Sequence, residues 1–262
     1  CARRPGLRRR TVTAGQIVLL AGAGFLAGTV NAVAGGGSLI SFPALLATHL
    51  GSVSANVTNT VALWPGYVGG AAGYRDVLSR DRRQVLVLCA ISLFGAAGGS
   101  VLLLTTPSDV FSRLVPWLIL GATALFAMQP VVARHVRPHE RRGGAGSMIG
   151  LRAGVLLSGV YGAYFGAGLG IMLLGILGLV LTADLQRVNG VKNALSLAIN
   201  TLALVIFAGF GPVRWSAVAI MATTSLLGGF AGSRVARLLP PRLLRAAVVI
   251  FGLVVGIKLL FW

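Results

Sequence analysis

Residues 28–37 read GTVNAVAGGG and residues 159–168 read GVYGAYFGAG. Gly28, Gly35 and Gly37 of the first stretch stand 131 residues before Gly159, Gly166 and Gly168 of the second, half the length of the 262-residue chain. Glycine clusters interrupt helices because they lack the Cβ that restrains the backbone. A glycine-interrupted apolar segment at corresponding points of two halves is the pattern of membrane carriers, which build a midplane binding site from broken helices. The pattern points to transport.

Composition sets the solvent. The chain is 56% hydrophobic and 11% charged, with a mean hydropathy of +0.86; a water-soluble domain of that composition would expose large apolar patches. The formal net charge of +18 would suggest nucleic acid in a soluble protein, so its location matters. Arg3, Arg4, Arg8, Arg9 and Arg10 form one cluster, and Arg75, Arg80, Arg82 and Arg83 a second. Arg134, Arg137, Arg141 and Arg142 form a third, and Arg234, Arg237, Arg242 and Arg245 a fourth. All lie between apolar runs, as cytoplasmic loops do under the positive-inside rule. No recognition motif or aromatic-basic interleaving accompanies them, and no nucleic-acid partner is expected.

The two cysteines, Cys1 and Cys89, supply neither a disulfide framework nor metal-ligand spacing. Lipidation of Cys1 finds no support in the adjacent Arg3 and Arg4. The basic tail, the apolar stretch 17–30 and Ala32-Val33-Ala34 resemble a signal peptide. Cleavage there would cut through one of two equivalent units, so the segment is read as part of the fold.

Apolar segments of about 20 residues, enough to span, can be drawn at 14–33, 55–74, 84–104, 114–133, 150–168, 188–208, 215–235 and 243–262. Two shorter apolar pieces, 38–50 and 169–181, follow the glycine breaks and read as half-helices or re-entrant segments. The expected fold is all-α: a polytopic transmembrane bundle of about eight spans in two internal repeats. A basic tail (1–13) precedes the first repeat (14–133), and a basic linker (134–149) precedes the second (150–262). Placing 75–83, 134–142 and 234–245 in the cytoplasm makes 150–181 a hairpin or re-entrant pair. If the first half copies this, each half crosses an odd number of times and the repeats are inverted. The same arrangement puts the Arg-rich tail outside, against the charge rule.

Polar residues within apolar segments are costly and mark candidate sites. Asn56, Thr58, Asn59 and Thr60 form the densest group, followed by Tyr67 and Tyr74; the second half carries Asn189, Lys192, Asn193, Ser196 and Asn200. A one-residue adjustment to the repeat spacing aligns Asn59 with Asn189. Helical spacing puts Asn56, Asn59 and Thr60 on one face, and Asn189, Lys192, Asn193 and Ser196 on another. Two such stripes facing each other would line a path.

Lys192 and Lys258 are the only lysines, and Lys192 has no acidic residue nearer in sequence than Asp184. A fixed positive charge beside helix N-termini suits an anionic substrate; the alternative is a lysine snorkelling to the interface. Gly35, Gly36 and Gly37 either unwind the chain so that backbone groups face a substrate or permit close helix packing. The five acidic residues, Asp76, Asp81, Asp109, Glu140 and Asp184, fall at segment ends, so no carboxylate dyad or intramembrane proton relay is expected. A serine protease would need a histidine near Ser158 or Ser225, and none lies in an apolar segment; metalloprotease motifs are absent too.

The stretches NAVAGGGSLISFPALL, ANVTNTVALWPGYVGGAAGYR, GVYGAYFGAGLGIMLL and NGVKNALS closely resemble the sulfite exporter TauE/SafE family of bacterial membrane permeases. The resemblance covers nearly the whole chain and implies a multi-pass protein of the plasma membrane, carrying sulfite, sulfoacetate or related sulfonates. The matching positions are Asn31, Gly35, Gly36, Gly37, Pro43, Asn56, Asn59, Tyr74 and Arg75, then Gly166, Gly168, Asn189, Lys192 and Asn193. A substrate-binding role for Asn31, Asn193 and the others follows from that resemblance; the second break departs from it in reading GAG. No ATP-binding loop occurs, so no cofactor is expected and transport would be secondary. A permease for an unrelated substrate, or a membrane subunit that needs a partner, is the alternative. The lipid bilayer and a small anion are the expected partners; a homo-oligomer is compatible with this reading but not required by it.

Overall fold

A backbone in hydrocarbon must satisfy its own N–H and C=O groups, and an α-helix does so within one segment. The computed structural model describes residues 13–33, 36–72, 82–135, 145–180, 185–235 and 241–261. The described residues form ten helices and no strand. They are α1 (Ala14–Val33), α2 (Ser38–Leu46), α3 (Ser52–Ala72), α4 (Arg82–Thr105), α5 (Ser108–His135), α6 (Ala145–Tyr164), α7 (Leu169–Val180), α8 (Leu185–Phe210), α9 (Trp215–Val235) and α10 (Pro241–Leu260).

By length and composition, α1, α4, α5 and α8 can each cross a membrane. The nine residues of α2 and twelve of α7 reach roughly 14 and 18 Å at the helical rise of about 1.5 Å per residue, short of a hydrocarbon core about 30 Å thick. They are the half-helices expected after each break. The segment drawn at 150–168 begins earlier, at Ala145, and its helix ends at Tyr164, so the break occupies 165–168. The linker drawn at 134–149 is helical at both ends; its middle, 136–144, lies outside the described residues, as do the tail 1–12, Gly35, Tyr74 and Arg75.

Side-chain distribution separates centre from periphery. From Ser52 to Leu63, α3 is buried except at half-buried Ser54. The surfaces of α4, α5, α6, α9 and α10 instead carry exposed Phe94, Trp117, Leu157, Phe230 and Ile250. Such a coat of apolar side chains is at home in lipid.

Two close parallel packings frame the bundle, α1 along α9 and α4 along α6. A Cβ on Gly28 would collide with the carbonyl oxygen of Ser225, and one on Gly159 would stand 2.5 Å from that of Ser92. Likewise a Cβ on Gly228 would strike the Phe25 carbonyl, and one on Gly95 the Leu156 carbonyl. Only glycine lets these backbones approach so closely.

Other pairings run antiparallel. Ser54 Oγ, near the start of α3, donates to the Pro212 carbonyl at 2.6 Å just past the end of α8, while Trp64 Nε1 further along α3 donates to Thr201 Oγ1 at 2.9 Å. Along α5 and α10, Arg245 Nε donates to Gln129 Oε1 at 3.4 Å, and Gly252 and Gly256 face Thr123 and Leu120. The helix starts carry a regularity of their own. Ala14 and Ala145, and Ser38 and Leu169, are 131 residues apart; Ser52 and Leu185, Arg82 and Trp215, and Ser108 and Pro241 are 133 apart. The step from the start of α7 to that of α8 is therefore two residues longer than the step from α2 to α3.

Candidate functional site

The two glycine breaks are closed in different ways. At the end of α1, Asn31 Oδ1 accepts the N–H groups of Gly36 at 3.0 Å and Gly37 at 2.8 Å. These are donors that the start of α2 would otherwise leave without a helical acceptor. Gly36 and Gly37 are both buried, and Gly37 keeps right-handed geometry at φ −56°. Its need for glycine is steric, since a Cβ there would collide with the Ala27 carbonyl.

At the second break, Gly166 and Gly168 take left-handed φ values of 77° and 78°, which side chains with a Cβ rarely adopt. Tyr161, one turn before the end of α6, donates its hydroxyl to the Ala167 carbonyl at 2.6 Å. Gly162 stands in this stretch where Asn31 stands in the first, so no carboxamide reaches the break from that position. Among the described residues, the N–H groups of Ala167 and Gly168 have no hydrogen-bond partner. They precede Leu169, the first residue of α7, where the helix dipole favours negative charge.

Central helix α3 touches both breaks. Asn59, 2% exposed, takes the Ser41 hydroxyl on Oδ1, and Ser41 also reaches the Gly37 carbonyl at 3.1 Å. Asn56, 1% exposed, donates from Nδ2 to the Tyr164 carbonyl at 2.8 Å at the second break. Its Oδ1 is buried with no partner.

Lys192 approaches the same break from α8. Its Cδ would lie 3.9 Å from a Cβ on Gly170, so the stem runs beside the first turn of α7. The half-buried ammonium donates to Asn189 Oδ1 at 3.0 Å, and among the described residues no carboxylate is within ion-pair distance of it. Asn193 lies half-buried one turn on from Asn189. The helix starts also place Asn189 opposite Asn56 and Lys192 opposite Asn59, rather than Asn59 opposite Asn189 as the one-residue adjustment predicts. Added residues before α8 lengthen the spacing, whereas matching Asn59 to Asn189 shortens it.

Further polar bonds pin α3 to α8, including Trp64 to Thr201 and Tyr67 to Asn200. Sequence reading passed over the Tyr161 lock. Its signal is a polar-tipped aromatic one turn before a glycine in an apolar run.

These short helices, the break donors and a lysine inside a candidate span give the matched motifs a shared physical setting, and the match extends over residues 20–259 of the chain. The chain belongs to the sulfite exporter TauE/SafE family. It is similar to a protein of Sinorhizobium named "Probable membrane transporter protein ORF9", 27% identical over 91% of this chain and 90% of the relative. It is likewise similar to a "Probable membrane transporter protein" of Haemophilus influenzae, 24% identical over 91% of this chain and 92% of the relative. The Escherichia coli K12 relative, "Probable membrane transporter protein YfcA", is 26% identical over 90% and 86%. No solved structure matches the chain. As a TauE/SafE member with several apolar helices, the protein is a multi-pass membrane transporter of the plasma membrane.

Proposed function

We propose that this protein is a secondary transporter for a small anion, sulfite or an organosulfonate, rather than an enzyme. One observation carries the reading: Lys192, without a carboxylate partner among the described residues, runs beside the first turn of α7, where two backbone N–H groups stand open. Two positive features at one place repel each other unless an anion lies between them, and both are strengthened in a low-dielectric interior. The family description supplies sulfite as the substrate to try first.

Alternating access also needs two halves that can rock about a fixed site. We infer that residues 14–133 and 150–262 are inverted repeats. The duplicated glycine motif, the two constant spacings between helix starts and the paired collisions at Gly28 and Gly159 support a duplication. The antiparallel course of α3 against α8, and of α5 against α10, supports inversion, because equivalent helices of an inverted repeat point opposite ways.

The test is uptake of radiolabelled sulfite and sulfonates by liposomes containing the purified protein alone. Saturable, protein-dependent sulfite flux is the expected result. Flux that appears only with an added subunit favours the partner-dependent alternative, and flux of an unrelated solute alone removes the assigned substrate.

A further inference from the structure

Resting on the anion reading, we infer that the second break binds an oxyanion carrying its own hydrogen-bond donor: a monoprotonated oxyanion such as hydrogen sulfite, in preference to an equally charged anion without an O–H or N–H. The key is the buried Asn56 acceptor together with the open donors of the break.

The first break supplies a template. There one carboxamide oxygen, Asn31 Oδ1, accepts two consecutive N–H groups, those of Gly36 and Gly37. The matching N–H groups of the second break belong to Ala167 and Gly168, and the residue matching Asn31 is Gly162. An oxygen acceptor from outside the chain can therefore take the part that Asn31 Oδ1 plays in the first half. A tetrahedral oxyanion presents such an oxygen, with Lys192 supplying charge beside the same helix turn.

Asn56 adds a demand of the opposite kind. Its Nδ2 is committed to the Tyr164 carbonyl at 2.8 Å. Turning the amide over would set two carbonyl oxygens against each other, so the orientation is fixed. Oδ1 is then an obligate acceptor, buried without a donor, on the same carboxamide that holds the Tyr164 carbonyl where the break begins. An anion with only acceptor oxygens leaves it unpaired and faces it with like partial charge. One that keeps a single O–H satisfies it, while its remaining oxygens take the backbone donors. Sites that present a buried polar group reject analogues lacking the complementary group far more strongly than apolar pockets reject a missing methylene.

Methylphosphonate monoanion and methanesulfonate isolate this difference, being tetrahedral, singly charged and methyl-capped, with one O–H between them. Both are titrated against the purified full chain in detergent, at one pH where methylphosphonate is a monoanion, with thermal stabilisation as the readout. Methylphosphonate is expected to bind on the order of tenfold more tightly, or better, and Asn56→Leu to bring the two affinities together. Equal affinities in the wild-type protein, or tighter methanesulfonate binding, overturn the inference while leaving the anion reading in place. Retention of the preference by a folded Asn56→Leu protein removes Asn56 as its source and overturns the inference too. If that variant does not fold, the wild-type pair alone decides. Binding of neither anion, nor of sulfite, overturns the anion reading and this inference with it.

Discussion

Asn31 Oδ1 and the Gly37 N–H are joined at 2.8 Å, so the carboxamide oxygen of a residue that resembles a substrate ligand in sequence holds its own break. The same oxygen also accepts from Gly36. Asn31→Ala strands two donors, both on buried glycines. Leaving a buried donor unsatisfied costs about 1–3 kcal/mol. Thermal unfolding in detergent should show a loss of that size, with Asn31→Asp, which keeps an acceptor at a helix N-terminus, losing less. Equal losses from both variants would contradict the assigned bonds.

Gly162 is the point where the second half could be closed in the same way. Gly162→Asn places a carboxamide where the first half has Asn31; the atoms nearest its Cβ are methyl carbons of Leu169 and Ile199, at 2.8 and 3.0 Å, rather than backbone. The variant should fold and bind sulfite at least tenfold more weakly by titration. Undiminished binding by a folded Gly162→Asn protein would show that the Ala167 and Gly168 donors are not the anion's partners.

Close backbone contact predicts matched behaviour of two distant glycines. Gly28→Leu and Gly159→Leu each drive a side chain into a carbonyl of the facing helix, whereas Gly22 has nothing within 4 Å of an added Cβ. Overpacking of this kind typically costs about 1–3 kcal/mol. Thermal unfolding should place both variants below wild type by comparable amounts, with Gly22→Leu unchanged; destabilisation by Gly22→Leu equal to the other two would refute the packing.

Much of this architecture is legible in sequence because it follows from composition and small residues. Hydropathy reveals an all-helical membrane protein, and the glycine runs locate both breaks and the half-helices after them. Helix ends are less visible: α6 already includes 145–149, which reads as the end of a basic linker although its last arginine is Arg142. Internal register is also hidden. Asn189 matches Asn56 rather than Asn59 once helix starts are compared, and two added residues are hard to place in a polar loop without the helices on either side. Which asparagine is free and which is engaged cannot be read from residue type. Asn31, Asn56 and Asn59 are chemically identical, yet one caps a break, one takes a serine hydroxyl and one keeps a buried oxygen open.

Lys192 carries the central claim. Sulfite flux in proteoliposomes containing wild type, Lys192→Ala or Lys258→Ala, compared at equal amounts of folded protein, tests it most directly. The account predicts a loss of at least tenfold for Lys192→Ala, whose ammonium bonds Asn189 beside α7, and little change for Lys258→Ala in the last turn of α10. Equal, small effects of the two substitutions would contradict the account.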